Sequence, residues 1–313
     1  MALELNAVVV GLGKQSGKHA SALVNQGHSV ICGVDPEPDA RDKFSKCFNV
    51  ASYSSIDDIK SDAPGNIAII CTPVGTRLDL IHTLITKGVK TFLVEKPLAI
   101  TLEECLSYIE IEHRFNVKIY VNYTYRVSSP YYQINHLHLI DDLNIDYGMF
   151  YLGGTGSHQA WKHQIATGGG AFNEMGVHML DLTRFLFGDI IEFEIKQKIL
   201  VRPKRIINDI NVDVDAEDLI VGTVDHGKAK TLIIADFLSP KFTNRVHLTN
   251  TREQFECTIG SFLEGYESEF SEIDIFGSDA YARIYHLISN GLTEGLHRPT
   301  DTHALLNCAT SYE

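Results

Sequence analysis

Short, mostly apolar runs alternate with longer mixed segments through the first third of the chain. The apolar runs cover residues 7–10, 29–34, 67–71, 91–94 and 118–121. Helix-like segments lie between them, over about residues 16–26 and 78–87, and a further helix begins at Thr101 with a capping-box pattern. Uniformly apolar strands separated by helices are typical of a buried parallel sheet with right-handed crossovers. The pattern predicts a doubly wound α/β domain.

The pattern changes after residue 121. Longer segments with partial alternation follow, at residues 190–200, 218–224, 228–237, 244–249 and 255–259. Helices are predicted over about 171–187 and, as the last element, 280–290. Partial alternation favours a large open sheet, mostly antiparallel, with one face solvated or packed at a subunit interface. We therefore predict two domains, residues 1–121 and an α+β domain over 122–313.

Charge and composition narrow the function classes. A formal net charge of −13 argues against a nucleic-acid surface and gives no reason to bind an anionic membrane. The apolar runs fall far short of the roughly 20 residues that a membrane span needs, and the N-terminus shows no signal-peptide pattern. The six cysteines lack metal-ligand spacing, which predicts free thiols in a reducing cytoplasm. His136 and His138 have no further ligand at a useful spacing, so we predict no metal site.

A glycine turn follows the first apolar run. Gly11, Leu12, Gly13 and Ser16 form a Gly-x-Gly-x-x-Ser turn between the first strand and the first helix. Such a turn lets the backbone approach a pyrophosphate at a helix N-terminus, and a serine is small enough to replace the third glycine. Asp35 ends the second run, where a carboxylate binds ribose hydroxyls and repels the 2′-phosphate of NADP. We therefore predict a Rossmann domain that binds NAD rather than NADP.

Other unusual residues end the remaining strands of this domain, where ligands bind in such sheets. They are Thr72 and Pro73 after the third apolar run, and Glu95, Lys96 and Pro97 after the fourth. A second motif comes later, running from Gly168-Gly169-Gly170 through Glu174 and His178 to Asp181. With the glycine turn and Asp35, these two motifs resemble the glucose–fructose oxidoreductase / inositol dehydrogenase / MocA family over about residues 6–190.

The resemblance implies hydride transfer between nicotinamide C4 and a substrate carbon. By the match, Lys96 is the active-site lysine, His178 the catalytic histidine, and the Lys96–Pro97 bond is cis. Histidine titrates near neutral pH and can act as acid and base, while an ammonium stabilises a developing alkoxide. Glu174 is expected to position substrate hydroxyls, since it lies four residues before His178 on the same helix face.

Two departures from the family pattern bear on the site. Glu174 replaces the usual aspartate, and residues 74–77 replace a stretch that often holds asparagine and histidine. We also predict substrate contacts from Asn122, Tyr125 and Arg126 at the domain junction, and from Trp161. Arg126 is equally compatible with a structural ion pair, and Trp161 with a core position.

Three hypotheses of function remain open at this stage. The first is an NAD-dependent dehydrogenase or reductase of a sugar, a sugar derivative or a cyclitol, assembled as a homodimer or homotetramer through the C-terminal sheet. The second is a reductase of C=N bonds in a biosynthetic pathway, for which Glu174 would be dispensable. The third is an NAD-binding regulator with weakened catalysis.

Overall fold

A computed structural model describes residues 2–60, 64–136, 139–154, 159–207, 209–250, 252, 255–262 and 278–309 of the 313-residue chain. The strands are β1 (Asn6–Val10), β2 (Ser29–Val34), β3 (Ala51–Tyr53), β4 (Ile67–Ile70), β5 (Thr91–Glu95), β6 (Lys118–Asn122), β7 (Tyr147–Gly153), β8 (Glu192–Ile199), β9 (Lys204–Ile207), β10 (Ile210–Asp213), β11 (Leu219–Asp225), β12 (Lys230–Asp236), β13 (Thr243–Asn250) and β14 (Phe255–Phe262).

The α-helices are α1 (Lys14–Asn25), α2 (Pro38–Phe48), α3 (Arg77–Thr86), α4 (Leu102–Phe115), α5 (Thr124–Val127), α6 (Ser129–His136), α7 (Leu139–Asp142), α8 (Val177–Phe187), α9 (Ser278–Ser289) and α10 (Pro299–Ala309). A π-helical turn over Phe172–Gly176 leads directly into α8. No helix of the described residues combines the length and apolar composition of a membrane span.

The chain divides into two compact units. The first comprises residues 1–127 and 276–303, and the second comprises residues 128–275 and 304–313. This division differs from the predicted boundary after residue 121 in two ways. Helix α5 stays with the first unit, and α9 returns to it from the segment predicted as the second domain.

The first unit is built on one parallel sheet. Its strand order is β3-β2-β1-β4-β5-β6, and each neighbouring pair runs parallel. This is the Rossmann order, in which ligands bind beyond the carboxyl ends of the strands near the reversal between β1 and β4. All four residues of β4 are fully buried, as expected for a central parallel strand. The predicted Rossmann fold is confirmed.

Helix α9 completes the core of this unit. Tyr281 and Tyr285 of α9 belong to the same buried cluster as Val9 of β1 and Leu23 of α1. Tyr285 is fully buried. The N-terminal Rossmann core therefore includes a helix encoded more than 150 residues later in the sequence.

The second unit is built on a mixed sheet of order β14-β13-β7-β12-β11-β8. Only β7 and β12 pair in parallel, so the predicted mostly antiparallel sheet is confirmed. One face is buried, and Phe150 of β7 meets Phe187 of α8 edge to face. On the other face of the sheet, every second side chain of β11, and nearly every second one of β12, is half-buried. A separate two-stranded hairpin, β9–β10, extends the unit.

The element boundaries require three corrections. Helix α1 begins at Lys14, two residues before the predicted start, because the turn at Gly13 passes directly into helix. The helix predicted over 171–187 opens as the π-helical turn and becomes α-helical only at Val177. The helix predicted as the last element is followed by α10.

Candidate active site

The glycine turn has the backbone conformation that its sequence predicts. Gly11 has φ +86°, and a Cβ there would lie 2.9 Å from the main-chain carbon of Cys71, so only glycine fits between β1 and the end of β4. Gly13 is the N-cap residue of α1, and this end of the helix has no hydrogen bond from its N–H groups to a capping side chain. A Cβ at Gly13 would meet no described atom within 4 Å. The first N–H groups of α1 are thus available to an anionic group such as a pyrophosphate.

Ser16 replaces the third glycine without disturbing the turn. Its side chain is buried, and its Oγ donates a hydrogen bond to the carbonyl of Gly13 at 2.6 Å. The hydroxyl is therefore satisfied inside the first turn of the helix, where an unpartnered polar group would be costly. The close packing that a glycine usually allows here is kept.

Asp35 holds the glycine turn as well as the chain that follows it. Its Oδ2 accepts a hydrogen bond from the N–H of Leu12 at 2.7 Å, and its Oδ1 accepts from the N–H of Glu37 at 2.9 Å. Arg41 donates through Nη1 to the carbonyl oxygens of Asp35 and Pro36, at 2.7 Å each. The carboxylate and a guanidinium thus lie together at the end of β2.

The departure at residues 74–77 has a structural explanation at Arg77. Residues Val74–Thr76 form a 3₁₀ turn after Thr72 and Pro73, and Arg77 starts α3. The side chain of Arg77 is buried and donates to the carbonyl oxygens of Thr72, Glu95 and Pro97. It joins the carboxyl ends of β4 and β5, an interaction that the sequence pattern did not predict.

The Glu95-Lys96-Pro97 turn follows β5 and contains the expected cis bond between Lys96 and Pro97. Glu95 is buried, and its Oε1 accepts hydrogen bonds from His19 at 2.9 Å and from Asn122 at 2.8 Å. Burial alone would raise the pKa of Glu95, but hydrogen bonding and charge from His19, with help from Asn122 and Lys96, hold it below its usual value. Glu95 is therefore a buried carboxylate beside the lysine.

His19 extends this buried network to α9. Its Nδ1 lies 2.6 Å from the hydroxyl of Tyr285, and its Nε2 contacts Glu95. Among the described residues His19, Cys71 and Glu95 have ligand atoms within 4.8 Å of one another, which is the spacing of a metal site. The hydrogen bonds already engage the imidazole and the carboxylate, and burial raises the pKa of the Cys71 thiol well above its usual value. We therefore interpret the group as a hydrogen-bonded network, and the absence of a metal stays a prediction.

Three residues predicted to contact substrate are buried in the first unit. Asn122 belongs to the Glu95 network, and Tyr125 is 3% exposed. Arg126 is also buried, and its Nη1 lies 3.9 Å from a carboxylate oxygen of Asp301. The Arg126 contact corresponds to the structural alternative, and the substrate contacts of all three remain predictions.

The second motif lies in the other unit. Glu174 is part of the π-helical turn, and His178 lies one turn later in α8 with 9% exposure. Lys162, which the sequence pattern did not single out, forms an ion pair with Glu174. Asp181 is fully buried on the same helix. The side chain of Trp161 lies outside the described part of the chain.

The third glycine of the Gly168-Gly169-Gly170 triplet is required by a contact that the sequence does not reveal. Gly170 has φ +108°, and a Cβ there would lie 2.5 Å from a carboxylate oxygen of Glu217. The same Glu217 oxygen accepts a hydrogen bond from the N–H of Phe172 at 2.9 Å. Glu217 thus occupies the space beside the glycine and caps the start of the helical segment that carries Glu174 and His178.

Comparisons with known proteins agree with both motifs. A family model described as "Oxidoreductase family, NAD-binding Rossmann fold" matches residues 5–123, and a model described as "GFO/IDH/MocA C-terminal domain" matches residues 142–256. The Rhizopine catabolism protein MocA of Rhizobium meliloti is 28% identical over 188 residues, 58% of this chain and 56% of that protein. Inositol 2-dehydrogenase of Rhizobium meliloti strain 1021 is 25% identical over 183 residues, 58% of this chain and 54% of that protein. The matches therefore span about half the length of these relatives.

Solved structures share the fold over nearly the whole chain. GenD2 from gentamicin A biosynthesis, in complex with NAD, has a TM-score of 0.82 at 19% identity, covering 100% of this chain and 94% of that one. The WlbA dehydrogenase from Bordetella pertussis, in complex with NADH and UDP-GlcNAcA, has a TM-score of 0.78 at 17% identity, covering 99% and 95%. Since the two family models together match most of its length, the chain belongs to the GFO/IDH/MocA oxidoreductase family, with an NAD-binding Rossmann domain in its first unit.

Proposed function

We propose that this protein is an NAD-dependent dehydrogenase or reductase that acts on a hydroxyl-bearing or carbonyl carbon of a sugar, a sugar derivative or a cyclitol. One observation carries the proposal. The glycine turn, Asp35 and the Glu95-Lys96-Pro97 turn all lie at the carboxyl edge of the same parallel sheet. The uncapped N-terminus of α1 and the open space at Gly13 fit a dinucleotide pyrophosphate.

The names of relatives support the substrate class. Inositol 2-dehydrogenase acts on a cyclitol by its name, and a glucose-6-phosphate 3-dehydrogenase of Bacillus subtilis strain 168 is 24% identical over 200 residues. The WlbA structure contains UDP-GlcNAcA. The compounds in these names all contain a ring carbon that carries a secondary alcohol.

Each proposed site residue has a role that its chemistry can fill. When bound, NAD⁺ accepts a hydride at nicotinamide C4. The ammonium of Lys96 donates a hydrogen bond to the substrate oxygen and stabilises negative charge on it. His178 removes the hydroxyl proton as the C–H bond breaks, and returns it in the opposite direction. Glu174 positions the ring hydroxyls next to the reacting carbon by accepting hydrogen bonds from them.

A cofactor-coupled screen with two variants tests this proposal. NAD⁺ reduction would be followed with myo-inositol, glucose 6-phosphate and a UDP-linked amino sugar as substrates. With the best of them, Lys96→Ala and His178→Ala are each expected to lower kcat by about 100-fold or more, since general acid–base groups contribute roughly 10²–10⁴-fold. Lys118→Ala is the control, because Lys118 is exposed at the start of β6, the opposite edge of the sheet. Near-full turnover in both site variants would refute the proposal.

Reduction of a C=N bond is the second candidate. The ion pair between Lys162 and Glu174 favours it, because that contact engages the carboxylate that a sugar hydroxyl would otherwise use. Glu174→Gln separates the two functions. The variant should lose most turnover with a polyol and little with a cyclic imine.

We also propose that copies of the chain associate through the second sheet. Its half-buried face carries Met149, Val221, Leu232 and Ile234, which are apolar side chains on adjacent strands. A contiguous apolar face of this kind is typical of a protein interface.

A further inference from the structure

Arg77 is buried in the first unit without a carboxylate partner. Its side chain is 3% exposed, and no ion pair to it occurs in the described part of the chain. Its hydrogen bonds go to main-chain oxygens instead. Nε donates to the carbonyl of Thr72 at 2.9 Å, and Nη1 donates to the carbonyls of Glu95, at 2.5 Å, and Pro97. A buried cation whose hydrogen bonds all go to main-chain carbonyls, with no carboxylate in direct contact, requires an explanation.

The accepting carbonyls suggest what this arrangement does. Glu95 and Pro97 are the residues immediately before and after Lys96, so one guanidinium nitrogen fixes the main chain on both sides of the lysine. The third carbonyl belongs to the strand end beside it, since β4 and β5 are neighbours in the sheet. The planar fork of an arginine can reach several acceptors at once, whereas a lysine carries its donors on a single atom.

The side chain of Glu95 is held independently. His19 and Asn122 bind its carboxylate from α1 and β6, whereas Arg77 binds only its main-chain oxygen. The turn is therefore fixed at its main chain by one group and at its first side chain by two others. Burial lowers the pKa of Arg77 below its usual value, the charges of Tyr108, Glu95 and other neighbouring groups oppose this shift, and arginine stays protonated at neutral pH.

We propose that Arg77 is a positioning residue for Lys96, holding the backbone of the Glu95-Lys96-Pro97 turn so that the ammonium reaches the substrate oxygen. The proposal rests on the function proposed above, in which Lys96 contacts that oxygen. It assigns a role to the position at which residues 74–77 depart from the family pattern.

Two variants and a control test the proposal in the full chain. Arg77→Met keeps the length of the side chain but removes every donor, and Arg77→Lys keeps the charge with donors on one atom. Arg298→Met is the matched control. Arg298 is another arginine of the first unit, but it pairs with Glu112 and lies over the ring of Tyr120.

The first measurement is hydrogen–deuterium exchange, without ligand, of the main-chain amides of Lys96 and of residues 98–100, since Pro97 has no N–H. Arg77→Met should exchange faster there than the unsubstituted protein, Arg77→Lys should be intermediate, and Arg298→Met should not differ. Unchanged exchange in Arg77→Met, or the same acceleration in Arg298→Met, would overturn the proposal. This readout needs no substrate and reports on the turn itself.

The second measurement separates positioning from cofactor binding. With the best substrate of the screen, Arg77→Met should lower kcat by about 10–100-fold, as expected when a reacting group is displaced by about 1 Å. The Kd for NAD⁺, measured by calorimetry, should change much less. Equal losses of kcat and NAD⁺ affinity, or no restoration by Arg77→Lys, would assign Arg77 to the fold rather than to Lys96.

Failure of this proposal is distinguishable from failure of the proposed function. If Lys96→Ala is inactive and Arg77→Met is fully active, only the positioning role is wrong. If Lys96→Ala is fully active, the proposed role of Lys96 is wrong, and the exchange measurement still reports whether Arg77 orders the turn.

Discussion

Asp35 supports the glycine turn and is also the residue predicted to select the cofactor. Its carboxylate receives the N–H of Leu12, so the residue expected to bind a ribose also orders the turn expected to bind the pyrophosphate. Arg41 lies beside it, held by two main-chain carbonyls. Removing the negative charge would leave a cation next to the predicted position of the ribose.

Asp35→Asn is therefore expected to shift the cofactor preference towards NADP. The amide oxygen can still accept the N–H of Leu12, while the repulsion of a 2′-phosphate disappears and Arg41 remains. The ratio of kcat/KM for NADP⁺ to that for NAD⁺ should rise by about 10–100-fold, or about 1.4–2.7 kcal/mol. Steady-state kinetics with both cofactors measure the ratio.

Asp39→Asn is the control for this change. Asp39 is an exposed carboxylate in the first turn of α2, only four residues away. An equal shift in that variant would mean that the general loss of negative charge, and not the contact at Asp35, sets the preference.

The sequence predicted some residues of the candidate site better than others. Gly11 and Asp35 could be proposed from the sequence because their positions follow strand ends a fixed number of residues apart, and that spacing is local. Arg77, Glu217 and His19 bind partners that are 18, 45 and 76 residues away in the chain, and His19 also contacts Tyr285, 266 residues away. No sequence period marks such residues, and their roles follow from the way in which the sheets bring strand ends together.

At the scale of elements, uniformly apolar strands were the strongest signal. The parallel strands β1, β2, β4, β5 and β6 lie close to the predicted runs, because burial on both faces leaves no polar alternation. The short strands β3, β9 and β10 were not predicted, since a few residues carry too little pattern. The π-helical turn was not predicted either, and the contacts of Glu217 with Phe172 and Gly170 at its start join segments that are distant in the sequence.

Gly170 offers a direct test of that last point. Gly170→Ala adds a Cβ at φ +108° that would lie 2.5 Å from the Glu217 carboxylate. We expect the variant to lower the free energy of unfolding of the second unit by about 2–4 kcal/mol, from backbone strain and displacement of the cap. Urea unfolding followed by tryptophan fluorescence measures this, because the single tryptophan is residue 161, in the same unit.

Two further variants establish the cause of this loss. Gly17→Ala is the control, since a Cβ on that helical glycine of the first unit would meet no described atom within 4 Å, and the free energy of unfolding of the second unit should not fall. Glu217→Ala removes the clash, so its combination with Gly170→Ala should cost less than the sum of the single changes. Strict additivity would exclude Glu217 as the reason for the glycine.

At the scale of the whole molecule, the sequence predicted two domains with one boundary, whereas in the structure each of the two units takes two segments of the chain. The change of pattern near residue 121 lies six residues before the observed boundary at Val127. The packing of α9 against the first unit could not be predicted from the sequence. The spacing of Tyr281 and Tyr285 predicts an apolar helix face, but it does not indicate which elements pack against that face. Tyr285 of that helix contacts His19. A chain that ended at residue 127 would therefore lack part of the first unit's buried network.

Association through the second sheet is the prediction that belongs to this scale. Ile234 lies centrally on the half-buried face, opposite Val221 of β11 and Tyr151 of β7. An arginine at this position would place a charge in the middle of an apolar interface, where it would have to lose its hydration. Ile234→Arg is therefore expected to reduce the mass measured by light scattering after size exclusion to that of one chain.

A change at another apolar surface distinguishes this face from general effects of charge. Leu3→Arg substitutes a leucine of the first unit that is 57% exposed, so it should leave the mass unchanged. Circular dichroism must show that Ile234→Arg keeps its secondary structure, and calorimetry that it keeps its affinity for NAD⁺, because the residues proposed to bind the cofactor lie in the other unit. If the folded variant retains the mass of the unsubstituted protein, this face of the sheet is not the interface, since a buried unpaired arginine would cost several kcal/mol there.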